Sequence, residues 1–293
     1  YKLLSESRKG FLISEEEAAR LSGIVQPLVN QGHSIHHICA THRDEIMLNE
    51  KTIYAYIDNG VLDVKNIDLP RKVRYRLRKK PQQFKVDRAC RINRTYDDYL
   101  EFLIQNDYPS VVQMDSVKGS RTGAVLLTIY FVSTGFMLAY LREANTAKSV
   151  TNIFNDIYHA LGRETFMRLF PVILTDNGCE FSDPTKIEFD ENGERRTYVF
   201  YCNQNRSDQK GNIEVNHEFI RRVSPKGVPF DSLSQEDINL MMSHINSYKR
   251  KRLNDQSPYS VFSLFYGNDI PLKLGISEIP ATEINLTPKL FKK

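Results

Sequence analysis

Val111-Val112-Gln113-Met114-Asp115-Ser116-Val117 has the β-branched, apolar content of a strand, yet a carboxylate stands in its interior. Strand interiors are poor in aspartate, and a buried carboxylate is costly unless something compensates it. Two more β-rich runs follow, over residues 124–132 and 136–141, separated by residues 119–123 and by Ser133-Thr134-Gly135. Short apolar runs divided by such breaks predict a three-stranded meander.

Downstream the pattern alternates. A helical period over about 146–161 precedes the apolar run Val172–Thr175, and a further β-rich stretch covers 197–202. Helical periods return over about 208–223, 235–249 and Pro258–Tyr266. This order matches the RNase H-like arrangement. The expected class is therefore α/β (α+β), a mixed five-stranded sheet with flanking helices.

An all-α segment comes before it. Ser14 with Glu17 is spaced as a capping box, and Ala18, Leu21, Val25 and Leu28 form an apolar stripe over about 14–30. A short helix from Ser34 is expected to bury Ile35, Ile38 and Cys39, and Asn49 is placed to cap a third helix ending at Asn59-Gly60. Helix, turn, helix is the outline of a DNA-reading unit, although small three-helix units also serve as spacers. On the last helix Lys51, Thr52 and Tyr54 fall off the apolar face, where they can meet bases and phosphates. His33, His36, His37 and Cys39 lack any second ligand group at zinc spacing, so polar surface and one core histidine are expected.

Charge is concentrated next. Between residues 71 and 94 there are eleven basic residues against Asp87 alone, a local +10 in a chain of net +4. Its dense half runs from Pro70 to Pro81 with Arg71, Lys72, Arg74, Arg76, Arg78, Lys79 and Lys80. Prolines at both ends favour an extended segment reaching on the order of 35 Å. Such a block is either a solvated linker or a nucleic-acid arm following a phosphate backbone. Thr95 with Asp98 then caps a helix to about Gln105.

Three acidic positions stand out by their surroundings. Asp115 interrupts a strand, Asp176 follows the apolar run Val172–Thr175, and Glu214 lies on a helical segment with Glu218 one turn later. Each also has a plain reading: an edge-strand residue, an Asp-Asn-Gly turn, a solvated helix face. Asp190-Glu191-Asn192-Gly193 is a useful control, because no apolar strand precedes it and it reads as a surface hairpin turn.

No apolar run approaches the roughly 18 residues needed to span a bilayer, and the expectation is a chain with no membrane partner, acting in the cytoplasm. The four cysteines, Cys39, Cys90, Cys179 and Cys202, show no C-x-x-C spacing. They suit a reducing compartment and are expected to be small, mostly buried hydrophobes. The sequence opens at Tyr1 and reads as a fragment of something longer.

Taken together, Met114-Asp115-Ser116-Val117, Thr175-Asp-Asn-Gly-Cys-Glu-Phe181 and Gln209-Lys-Gly-Asn-Ile-Glu-Val-Asn-His217 resemble the DDE transposases of the insertion-sequence family named IS-thirty. Phe219-Ile-Arg-Arg222, Pro225-Lys-Gly227, His244-Ile-Asn-Ser-Tyr248 and Ser257-Pro258 extend the likeness over about residues 1–266. Val215, Asn203-Gln204-Asn205 and Lys249 depart from the family's usual residues. The resemblance implies Asp115, Asp176 and Glu214 as catalytic ligands of two Mg²⁺ or Mn²⁺ ions, acting in DNA cleavage and strand transfer. It implies double-stranded DNA as partner, both element terminal inverted repeats and target, with a homodimer or larger assembly on it. Arg221, Arg222 and Lys226 are then expected at DNA phosphates. An impaired, DNA-binding copy and a nuclease for RNA–DNA hybrids share parts of this pattern. The implied division is 1–62 helix-turn-helix, 63–106 basic linker and short helix, 107–275 catalytic core and 276–293 tail.

Overall fold

β1 (Val111–Lys118) is the central strand of a five-stranded sheet in the computed structural model, which describes residues 13–70, 89–107, 110–120, 123–204 and 206–291. It pairs antiparallel with β2 (Val125–Phe131), which pairs antiparallel with β3 (Met137–Arg142). On its other side β1 runs parallel to β4 (Val172–Thr175), and β4 parallel to β5 (Val199–Tyr201). The order β3-β2-β1-β4-β5, with one antiparallel half and one parallel half, is the RNase H-like sheet read from the sequence.

Every residue of β2 is buried, as a central strand covered on both faces requires. One cover is α6 (Ala147–Leu161). Thr146 accepts from the Ser149 amide to start it, and Val150, Phe154, Ile157 and Leu161 form its inward stripe. α7 (Arg163–Leu169) adds Phe166 and Leu169, and Phe166 stacks on Phe170 at 4.7 Å. α5 (Tyr96–Gln105), opened by the predicted Thr95–Asp98 box, brings Tyr99 and Phe102 against Phe200.

Both edges of the sheet are covered. α10 (Gln235–Ser247) lies along β3, where the Asn246 amide accepts from Met137 N at 2.9 Å and donates to Met137 O at 2.8 Å. Gln235 does the same for Leu141 N and Ala139 O. On β5, Tyr201 N donates to Arg94 O and Val199 N to the Glu188 carboxylate, at the end of α8 (Pro184–Glu188). Exposed strand edges invite pairing with other chains, and these contacts remove the invitation.

The helical period expected over 208–223 begins as a 3₁₀ turn, Ser207–Lys210, and continues as α9 (Gly211–Val223). The strand expected over 197–202 contracts to β5, and the helix expected to residue 249 stops at Ser247. α11 (Pro258–Tyr266) and α12 (Asp269–Lys273) complete this unit, which holds the described residues of 80–280 and 286–291.

The other unit holds the described residues up to Pro70 together with Ala281–Asn285. Its helices are α1 (Glu15–Asn30), α2 (Ile35–Thr41), α3 (Arg43–Ile46) and α4 (Glu50–Asp58). Ser14 caps α1, but Glu17 turns to Arg20 at 2.6 Å, so only half of the expected box forms. Leu21, Val25, Ile35, Ile38, Ile53 and Ile57 make the core. Two histidines, His33 and His37, are buried where one was expected, because their rings pack edge-on at 4.9 Å.

Several described residues of the stretch expected as a C-terminal tail, 276–291, are packed. Ile276, Ile284 and Leu286 are buried, and Ser277 N and Ile279 N donate to Ser243 and Ser247 on α10. The expected extended run 70–81 lies, beyond Pro70, outside the described residues. Of the cysteines only Cys202 is buried; Cys39 and Cys90 are partly covered and Cys179 is exposed, so the expectation of mostly buried thiols is corrected. No helix among the described residues is long and apolar enough to cross a membrane.

Candidate active site

Asp115 stands opposite Thr128 in the β1–β2 ladder, and Met114 stands beside Thr175 in the parallel β1–β4 ladder. Asp176 follows Thr175, so the two aspartates leave neighbouring strands at the same end. Their carboxylates are treated alike. Each Oδ1 accepts from a backbone amide, Ser116 N at 2.7 Å for Asp115 and Gly178 N at 3.0 Å for Asp176. Each Oδ2 faces the Lys210 ammonium, at 3.2 Å and 3.4 Å respectively. Lys210 Nζ also donates to Met114 O at 3.2 Å. Three donors thus meet three acceptors.

Lys210 is buried at the end of the 3₁₀ turn preceding α9. Burial by itself would lower its pKa, but Asp115 and Asp176 outweigh that and raise it, so the ammonium is fully charged. For Asp115 burial dominates and, with Asp176 adding, pushes the carboxyl up to about 6 against the pull of Lys210. Two carboxylates this close repel by a few kcal/mol at an effective dielectric near 20. The site is built to hold a cation.

The loop after β4 is fixed by close contacts. Asn177 Nδ2 donates to Cys202 O at 2.8 Å. A Cβ placed on Gly178 would lie 2.5 Å from Glu180 Oε2 and 3.2 Å from Asp176 Oδ1, so a side chain there would push the Glu180 carboxylate aside. Glu180 is itself buried. Burial would raise its pKa, but hydrogen bonding with Ser116 and Asn145 and the nearby Arg142 charge hold it below the ordinary carboxylate value. Arg142 Nη2 donates to Ser116 Oγ and Asn145 Oδ1, both at 2.8 Å. Glu180 and Arg142 therefore brace the strand carrying Asp115 against the loop carrying Asp176.

On α9, His217 Nε2 is 2.8 Å from Thr128 Oγ1, which donates to Asp115 O at 3.0 Å. That hydroxyl then accepts from Nε2–H, leaving Nδ1 facing Asp115 Oδ2 at 4.0 Å. Burial first, then Lys210 and Arg221, push His217 down to about 3. The ring is neutral, and the contact is not an ion pair.

Glu214 lies one turn beyond Lys210 in the first turn of α9, exposed. Its charge reaches the buried Cys202 thiol, which burial raises to about 12, with Lys210 opposing and Asp176, Asp115 and Glu214 adding. It therefore shares the neighbourhood without joining the two aspartates. Among the described residues no three His, Cys, Asp or Glu side chains converge closely enough to hold a metal ion. The aspartate pair fits one hard divalent ion, since its ligands are carboxylate oxygens and a cation already stands between them. A second ion would need Glu214 to swing in.

The residues expected at DNA divide similarly. Lys51, Tyr54 and Lys226 are exposed, whereas the Thr52 hydroxyl is engaged by Asn49 Oδ1 at 3.1 Å. Arg221 is directed inward, donating to Lys118 O at 2.7 Å, and Arg222 lies over the Phe219 ring at 4.7 Å. Arg71, Lys72, Arg74, Arg76, Arg78, Lys79 and Lys80 fall outside the described residues. Asp190 closes the hairpin turn predicted for it, accepting from Asn192 N and Glu194 N beside the Phe189–Arg195 bridge.

Sequence reasoning passed over Lys210 and Glu180. Each sits four residues from a singled-out carboxylate, one helical turn before Glu214 and just after Asp176, and that spacing is the signal that was available.

The chain is related in sequence to transposases of insertion sequences. It is 28% identical over 236 residues to a probable transposase for an insertion-like sequence element of Streptococcus salivarius, covering 78% of this chain and 63% of that protein. It is 23% identical over 260 residues to the transposase of an insertion sequence element of Cupriavidus metallidurans, covering 85% of this chain and 74% of that one. A solved structure of the catalytic core domain of the BIV integrase aligns with a TM-score of 0.38 and 17% identity, over 53% of this chain and 94% of that one. No family model matches. The chain spans about two thirds of the Streptococcus relative's length, slightly under that mark.

Proposed function

We propose that this chain is a DDE-type transposase core, cutting DNA at an element's ends and joining it to a target with Mg²⁺ or Mn²⁺. The observation that carries the reading is the convergence of Asp115 and Asp176, from adjacent parallel strands, on a single cation position. The kinship to insertion-sequence transposases supports the substrate class.

Asp115 and Asp176 are the residues that would hold the ion, with Glu214 supplying the third carboxylate. When bound, such ions activate the attacking oxygen and stabilise the leaving 3′ oxygen. The protein's own part is orientation. The amides of Ser116 and Gly178 fix one oxygen of each aspartate, leaving the other free for a cation. Glu180 and Arg142 keep the two supports in register. The neutral His217 crowds Asp115 without neutralising it. Water attack on an end phosphate frees a 3′-OH, and that hydroxyl then attacks a target phosphate, so one site serves both steps because only the nucleophile changes. Exposed Lys51, Tyr54 and Lys226, together with the basic run 71–80, are the groups offered to duplex phosphates.

A second reading, a DNA-binding copy impaired in catalysis, is favoured by one observation, the position of Glu214 outside the aspartate pair. Labelled element-end DNA with Mg²⁺ separates the two. The enzyme yields nicked and strand-transfer products, and Asp176→Ala loses both while its salt-sensitive DNA binding stays near normal. Metal-dependent cleavage that survives in Asp176→Ala would sink the assignment.

A further inference from the structure

We propose that Lys210 is a built-in counter-cation, holding Asp115 and Asp176 together before a divalent ion arrives and giving up its place to that ion. The inference rests on the metal-site reading above and goes beyond it, because it concerns the site before loading.

The geometry is that of an exchangeable ligand set. Lys210 Nζ lies 3.2 Å from Asp115 Oδ2, 3.4 Å from Asp176 Oδ2 and 3.2 Å from Met114 O. The two Oδ2 atoms are the oxygens left free by the backbone amides, hence the ones a metal would take. A divalent ion bound to both oxygens and an ammonium bound to both would be like charges within a few ångströms, beside the buried Lys210 and largely buried Asp115, where screening is reduced. They cannot share the position. The lysine is suited to leaving, since its charge rides on a four-carbon stem with rotatable bonds, unlike the planar fork of arginine. It is also suited to waiting. Without it, two carboxylates would face each other beside the buried Met114 and Thr175 with no cation between them.

The consequence is a competition. Metal affinity is reduced by the fraction of molecules in which the ammonium holds the site, a cost that removing the ammonium abolishes. Arginine at 210 keeps the charge, and glutamine or methionine does not.

The test is a Mn²⁺ titration of the whole chain, following free Mn²⁺ by electron paramagnetic resonance, with thermal melting in EDTA alongside. Lys210→Met is expected to bind Mn²⁺ at least about tenfold tighter than the unmodified protein and to melt at a lower temperature in EDTA. Lys210→Arg should keep the weaker binding. Mn²⁺ binding by Lys210→Met that is unchanged or weaker overturns the exchange. If Lys210→Met is unfolded in EDTA, recovery of its native circular dichroism on adding Mn²⁺ supports the exchange. Failure to recover, in this variant and in Lys210→Gln alike, overturns it. Asp176→Asn separates the two levels of argument. If it binds Mn²⁺ as well as the unmodified protein, the metal site itself is misassigned. If it loses binding while Lys210→Met gains none, only the exchange is lost.

Discussion

Gly178 has an extended backbone with φ −63 and ψ 146, so its missing side chain is not needed for conformational freedom. It is needed for space. Asp176 Oδ1 and Glu180 Oε2 both crowd the point where a Cβ would stand. In Gly178→Ala the Glu180 carboxylate must swing aside and Asp176 must give by a few tenths of an ångström, well short of the about 1 Å shift that costs on the order of 10²-fold in rate, so a factor of about 10 is expected. Single-turnover cleavage is expected to fall by about that factor while far-ultraviolet circular dichroism stays unchanged; normal cleavage would show that the loop yields without disturbing Asp176. At this scale the sequence was half legible. Asp176 was separable from its near twin Asp190 because a buried strand precedes the first and not the second. The spacing of Lys210 marked it only weakly, because a lysine one turn before a glutamate on a helix looks like an ordinary solvated pair. Only the β1–β4 register, which puts Met114 next to Thr175, shows that its ammonium lands between two aspartates.

Among the elements, those with local signals were read well. Ser14, Ser34, Asn49 and Thr95 each start the helix they were expected to start, since an N-cap acts on amides two or three residues away. The strands of the meander and the β4 run fall within a residue or two of their apolar runs. What could not be read is the cover on β3, because Asn246 and Met137 are 109 residues apart and a polar residue on a helix carries no mark of its partner. Asn246 is fully buried and makes two backbone bonds, so Asn246→Ala strands one amide and one carbonyl of an edge strand. Leaving buried groups unpaired costs about 1–3 kcal/mol each, and a loss of about 3 kcal/mol in urea unfolding is expected, with slower-melting sheet signals preserved in Asn246→Gln only in part. A loss below about 0.5 kcal/mol, the range of ordinary surface substitutions, would mean that water replaces the side chain and that the edge is not sealed by it.

At the scale of the whole molecule, the departure from the sequence reading lies in how the chain is shared out. Local patterns divide a chain into consecutive pieces, yet Ala281–Asn285 belongs with the N-terminal helices, more than two hundred residues earlier. Ile284 is fully buried there, and its carbonyl accepts from His33 Nε2–H. Burial of the histidine, opposed by the Ile284 bond and reinforced by His42, lowers its pKa below the ordinary value. With a folded value depressed below the unfolded one of roughly 6.5, the unfolded chain binds the proton more readily. The stabilisation is therefore complete above about 6.5 and is lost as pH falls toward the folded value. Protection of the amides in α1 and α2, measured against the intrinsic exchange rate at each pH, should thus fall between pH 7 and pH 5, and the segment 281–285 should lose protection with them. His33→Asn is expected to be less stable at pH 7, because the Ile284 carbonyl loses its donor, and to show a flatter pH dependence of exchange. An unchanged slope in that variant would assign the acid sensitivity to other groups and leave His33 as packing alone.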